Sequence, residues 1–195
     1  MSVSPGNGRT QQQWQNWRVS TSGISTYGDP CRECGFSWGA SLDSAVALMS
    51  AVPSRVGALL AGATGRERLP VLEWSVGAYV SHIGDNLTIW TERLRGVASG
   101  APPLVGAYDE SALARARNYE EIALPAALWS LGRAVVEWGE AVAQSDQSGT
   151  VLIHPERGKL TLRAVVLANV HDALHHAWDI ERTLRCSATE RAARA

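Results

Sequence analysis

The chain has 195 residues, 45% of them hydrophobic and 19% charged, and a formal net charge of −1 at pH 7. This is the composition of a folded globular domain, long enough to bury a core and short for two. The near-neutral charge supplies no electrostatic reason to hold nucleic acid or an anionic membrane. No apolar run approaches the roughly 20 residues of a bilayer-spanning helix. MSVSPGNGRTQQ at the start lacks the apolar stretch of a secretory signal. Three cysteines do not make a disulfide framework. The expectation is a protein of the reducing cytoplasm.

Residues 1–30 are rich in Ser, Gly, Gln and Thr and include the patch QQQWQNW. They read as an N-terminal extension, mobile or draped on the surface, which Trp14 and Trp17 could dock onto the body or a second subunit. The helical period then takes over. A first helix is expected over 41–63, with Pro53 kinking or dividing it. A second covers 73–98, where Val76, Tyr79, Val80, Ile83, Leu87, Trp90 and Leu94 recur at three- and four-residue steps. Pro102 and Pro103 open a loop. A third helix spans 118–143, with Pro125 marking its true first turn. SDQSGTVLIHPERGK reads as a second loop, in which His154 is most simply a loop residue, and 161–185 as the fourth helix. No alternating strand pattern of any length interrupts them. The fold class is therefore all-α, a four-helix bundle over 31–186 followed by a solvated tail at 187–195. Trp74, Trp90, Trp129 and Trp138 are read as core residues, and Trp178 as outward-facing.

The fourth helix carries NVHDALHHAWDIER, which offers two i, i+4 pairs: His171 with His175, or Asp172 with His176. At about 100° per residue, Val166, Val170, Ala173, Ala177, Ile180 and Leu184 form one apolar stripe. His171 and His175 fall nearly opposite it and should point to solvent. Asp172 and His176 lie on its flank, where a side chain looks into a cleft between helices. On the second helix His82 sits off the stripe's edge beside Asn86, while Asp85 turns away. If the flanks face each other, His82 meets Asp172 and His176. Residues four apart on a helix have Cβ atoms about 5–6 Å apart, which suits two ligands of one metal. Three protein ligands with positions left open describe a catalytic rather than a closed structural site. The plainer alternatives are a hydrogen-bonded core histidine and a surface Asp–His contact.

WSVGAYVSHIGDNL (74–87) and HDALHHAWDI (171–180) resemble the DinB-like superfamily, the DinB/YfiT-like metalloenzymes. CRECGFSW (31–38), with the late H-D-x-x-H-H-x-W-D run, is similar to an actinobacterial branch of that family. The resemblance covers about residues 31–185. It implies a four-helix bundle in which His82 is the first metal ligand and His176 the last, followed by Ala177-Trp178-Asp179-Ile180. That register puts the remaining ligand at Asp172, where many relatives have His and the mycothiol-dependent maleylpyruvate isomerases have Glu. The metal is expected to be zinc first, with nickel, iron or manganese compatible. The reacting group would be a water or thiol on that ion. By family analogy the activity is S-transfer from a low-molecular-weight thiol such as mycothiol to a small electrophilic substrate, in a homodimer formed through outward helix faces. Hydrolysis or isomerisation at the same centre is compatible, and the alternative from another class is a non-catalytic small-molecule or partner-binding bundle.

Cys31 and Cys34 are half a zinc site, a redox pair or two structural residues. Cys186 alone does not complete a four-ligand set, and the strand–helix context of thioredoxin-like chemistry is missing.

Overall fold

A computed structural model of the chain describes residues 22–194, with side chains described over 23–187. Trp14 and Trp17 lie outside that range. Six α-helices, a one-turn 3-10 helix and one hairpin follow in order among the described residues: α1 Ser22–Tyr27, α2 Leu42–Leu59, α3 Val76–Ala98, α4 Glu110–Ala116, the 3-10 helix Tyr119–Glu121, α5 Leu124–Ser148, β1 Val151–His154, β2 Gly158–Thr161 and α6 Leu162–Arg194. The bundle is α2, α3, α5 and α6. Helix α3 packs chiefly on α5 and α2 on α6, and α3–α6 and α2–α5 contacts close the ring. Its core is the apolar stripe of each helix, with Met49, Ile83, Leu87, Leu131, Trp138, Val166, Val170 and Ile180 all buried.

Local chemistry explains where the helices begin and end. Ser41 and Ser75 cap α2 and α3, each hydroxyl accepting from the N–H three residues on. Pro125 sits in the first turn of α5, where its missing N–H costs nothing. Gly149, at φ +63°, ends that helix in the left-handed conformation glycine takes most easily. Pro53 does not divide α2, which runs unbroken through it.

The second expected loop is replaced by structure at both ends. Helix α5 runs on to Ser148, and β1 and β2 form an antiparallel hairpin with Leu152 opposite Leu160, both buried. Residues 103–105 pair with Ile153 on the hairpin's outer edge, the Val105 N–H donating to the Ile153 carbonyl and the Ile153 N–H to the Pro103 carbonyl. The strands are only four residues each, too short for alternation to stand out. Trp129, expected in the core, is 69% exposed on α5 beside Arg133. No helix among the described residues is long and apolar enough to cross a membrane.

The segment 22–40 does more than lead into the bundle. Tyr27, Cys31, Phe36 and Trp38 join the core and lie against α6. Gly23 allows this closeness, because a Cβ there would fall 2.2 Å from the Trp38 ring. The Arg163 guanidinium holds the end of the segment by donating to the Trp38 and Ala40 carbonyls.

Candidate metal centre

The motif at the start of α3 resolves into separate tasks. Ser75 caps the helix, and Gly77 lets its N–H reach the Gly65 carbonyl at 2.9 Å. Trp74 packs its ring 4.8 Å from His82. Two turns in, His82 is buried, and its Nε2 has no hydrogen-bond partner. Asp85 turns away to accept from the Tyr119 hydroxyl and pair with Arg117. Asn86 faces α6, donating from Nδ2 to Asp172 Oδ2 at 2.9 Å while its carbonyl accepts from the Tyr108 hydroxyl at 3.0 Å.

Across from them, α6 presents Asp172 and His176. Asp172 Oδ2 lies 3.8 Å from His82 Nε2, and Oδ1 lies 3.6 Å from His176 Nε2. One ligand atom from each of the three lies within 4.8 Å of the others. Bonds of about 2.0–2.2 Å to one divalent ion put neighbouring nitrogen and oxygen donors about 3–4 Å apart, so these spacings fit an ion between them. The unpartnered Nε2 of His82 is the kind of buried lone pair that a cation satisfies.

Around this cluster the polar partners are already in place. His176 Nδ1 faces Asp179 Oδ2 at 3.2 Å, and Asp179 is gripped in turn by Arg182 through Nε and Nη2 at 3.0 and 2.8 Å. A carboxylate on one imidazole nitrogen fixes which nitrogen is left for a metal. Burial alone would raise the Asp172 carboxyl, but the neighbouring His176 and His82 imidazoles outweigh it and hold it well below the usual carboxylate range. Burial alone would lower His176, and the Asp172 and Asp179 carboxylates instead push it up to about 9. Asp172 and His176 line a cleft of about 650 Å³, together with Asn86, Trp90, Arg93, Tyr108, His154 and Arg157, while His82 is buried behind them. His154 is thus not a bare loop residue: it is buried on β1, and its Nδ1 accepts from the N–H groups of Glu156 and Arg157.

His171 and His175 contradict the helical count, which turned them to solvent. His171 is only 5% exposed, and both rings pack on Tyr27 at 4.7 and 5.0 Å. The reason is that segment 22–40 covers this face of α6. Burial, with His175 beside it, pushes His171 down to about 4. Cys31 lies 3.8 Å from His175 Nδ1, and both Cys31 and Cys34 are free thiols. Burial pushes the Cys34 thiol up to about 11. Trp178 does face outward, half-buried, with the Arg182 guanidinium over its ring. The supporting residues Tyr108, Glu33 and Asp179 were not picked out by periodicity. Asp179 had a signal in its place three residues after His176 on the same helical face, and Glu33 in its place within CRECGFSW; Tyr108 had none.

A four-helix bundle with an imidazole–carboxylate–imidazole cluster between its second and fourth long helices defines the class. The chain belongs to the DinB superfamily, whose family profile matches residues 58–180. Its fold is similar to that of YfiT from Bacillus subtilis, described as "a probable metal-dependent hydrolase with an unusual four-helix bundle topology". That likeness has a TM-score of 0.67 at 20% identity, over 75% of this chain and 87% of that one. No curated protein matches in sequence.

Proposed function

We propose that this chain is a divalent-metal-dependent enzyme acting on a small electrophilic molecule bound in the cleft, with His82, Asp172 and His176 holding the metal. The observation that carries the reading is the convergence of the unpartnered His82 Nε2 with Asp172 and His176, the latter two of which line the cleft. Zinc suits this donor set first, and nickel, iron or manganese share it. When bound, such an ion supplies Lewis acidity that makes a nucleophile of water or a thiol near neutral pH.

The chain's own residues do the positioning. Asp179 accepts the Nδ1 proton of His176 and so keeps Nε2 toward the cleft. Asn86, held by Tyr108, orients the Asp172 carboxylate. Trp74 and Tyr79 wall off one side of the imidazoles and exclude water there. The other side opens to the cleft, where a substrate enters. Two nucleophiles fit this arrangement. Family analogy favours a low-molecular-weight thiol, hence S-transfer, and the description of YfiT favours water, hence hydrolysis.

The test is metal analysis of tag-free protein. His176→Ala should lower the bound metal by about one equivalent per chain relative to wild type. Equal metal in both proteins would leave a non-catalytic binding bundle as the better reading. Assay of the loaded protein for thiol consumption with model electrophiles, against ester and amide hydrolysis, then separates the two nucleophiles.

A further inference from the structure

The run HDALHH places a second set of donors one residue out of step with the first. Cys31, Cys34, His171 and His175 each offer a ligand atom, and these atoms all lie within 4.8 Å of one another. The cysteines lie outside the residues matched by the family profile, and the two pairs come from opposite ends of the fold: Cys31 and His175 are 144 residues apart.

From these four residues we propose a second metal site in this protein, a closed structural zinc centre of two thiolates and two imidazoles that fastens segment 22–40 onto α6. It is distinct from the His82 centre and does not depend on it.

Several independent features support it. The first is distance. With Zn–S near 2.3 Å and Zn–N near 2.0–2.1 Å, a tetrahedral ion sets sulfur and nitrogen about 3.6 Å apart, and Cys31 Sγ lies 3.8 Å from His175 Nδ1. The second is an unsatisfied group: His171 is at least nine-tenths buried, and its Nε2 has no hydrogen-bond partner. A buried orphan nitrogen costs stability unless something binds it. The third is orientation. Glu33, between the two cysteines, accepts from His175 Nε2 at 3.0 Å and thereby leaves Nδ1 free toward the Cys31 sulfur. The fourth is the turn carrying the thiols. Gly35, at φ +74°, donates its N–H to the Cys31 carbonyl, and the Cys31 N–H donates to the Phe36 carbonyl, which closes C-x-x-C-G into a tight loop.

The donor chemistry selects zinc. Two thiolates favour zinc over the hard cations, and two negative sulfurs neutralise a divalent ion, so a half-buried site carries no net charge. Binding releases the two thiol protons to solvent, with no redox change. All four ligands come from protein, which is the closed form of a structural site. The ion would tie the start of the fold to the helix turns that also bear Asp172 and His176.

Cobalt reports directly on thiolate ligation. The protein is stripped of metal and reloaded with Co(II) in a Cys186→Ser background, so that only Cys31 and Cys34 remain. Wild-type ligands should give thiolate-to-cobalt charge-transfer absorption and the intense visible bands of a tetrahedral site. Cys34→Ser should lose at least half of the charge-transfer intensity and the Cys31→Ser, Cys34→Ser double variant all of it, whereas His176→Ala should keep it. Zinc analysis should find about one equivalent fewer in Cys34→Ser. Should Cys34→Ser fail to fold, mercurial titration of the otherwise wild-type protein with a zinc-sensitive dye still decides: modifying the two thiols should release about one zinc per chain. Absent charge-transfer bands, thiols modified without zinc release, or a Cys31–Cys34 disulfide found by mass spectrometry in freshly isolated protein would overturn the proposal. Because these readouts follow sulfur, they stand or fall apart from the His82 centre.

Discussion

His175 and His176, neighbours in the chain, face different walls of α6: their rings lie 6.2 Å apart with planes at 80°. His175 turns Nδ1 to Cys31 and Nε2 to Glu33. His176 turns Nε2 to Asp172 and Nδ1 to Asp179. In both cases a carboxylate takes one ring nitrogen and leaves the other turned to the proposed metal site, but the nitrogens are exchanged.

This arrangement separates the consequences of two adjacent substitutions. His175→Ala should loosen segment 22–40, seen as faster amide exchange at Cys31, Arg32 and Gly35, whose N–H groups are bonded within that segment. Metal at the His82 centre should remain. His176→Ala should do the reverse, losing metal there and leaving exchange over 22–40 unchanged. Identical exchange patterns in the two variants would show that the walls are not independent. Chelation of all metal should reproduce both effects together.

Asp179 should matter to metal affinity without touching metal. It is buried, faces His176 Nδ1 and is held by Arg182. Asp179→Asn keeps the shape but can present an N–H where His176 needs an acceptor. Loss of such an outer partner typically costs about 10–100-fold in metal affinity, measurable by competition with a chelating dye. The fold should survive, since the Asp179 contact with Thr183 uses the backbone carbonyl. Undiminished affinity would mean that packing against Trp74 and Tyr79 is enough to orient the ring.

What the sequence disclosed follows from the range of each interaction. His82, Asp172 and His176 were legible because each lies on a long helix whose period is local, and the flank position is computed from the helix itself. The same arithmetic failed for His171 and His175. A helix face is exposed only if nothing else covers it, and what covers this one is a segment near the other end of the chain. The interleaved spacing, Cys31-x-x-Cys34 against His171-x-x-x-His175, held the clue, but pairing them requires knowing that 22–40 folds back. The hairpin was missed for a related reason: Leu152 and Leu160 pair across the strands and are buried in the core that distant helices build, and four-residue strands leave almost no period to read.

Gly77 should be hard to replace. A Cβ at this position would lie 2.9 Å from the Gly65 carbonyl oxygen, which is backbone and accepts the Gly77 N–H. Gly65 is itself at φ +88°. Gly77→Ala should therefore destabilise by about 1–3 kcal/mol through overpacking, despite the higher helix propensity of alanine. Gly139→Ala is the control, with open space around the added methyl. There only the propensity gain of about 0.5–1 kcal/mol should appear. Thermal or urea unfolding of both variants checks the pair, and equal shifts would refute the steric account.

The turn that abuts α3 should also give a pH-dependent signal. Glu67 receives the Thr64 and Gly65 N–H groups at 2.9 Å each and the Thr64 hydroxyl at 3.1 Å, and its own carbonyl accepts the Val76 N–H. Burial alone would raise its carboxyl, but the Thr64 and other backbone N–H donors lower it below the ordinary glutamate value. A carboxyl depressed in the folded state binds protons more weakly there than in the unfolded chain. Its contribution is thus fully present above the unfolded pKa and fades as pH falls through the folded one. Urea titrations of wild type and Glu67→Gln should differ most near neutral pH and converge in acid. A constant gap across that range would mean that the carboxylate charge does not hold the turn, and that the neutral hydrogen bonds suffice.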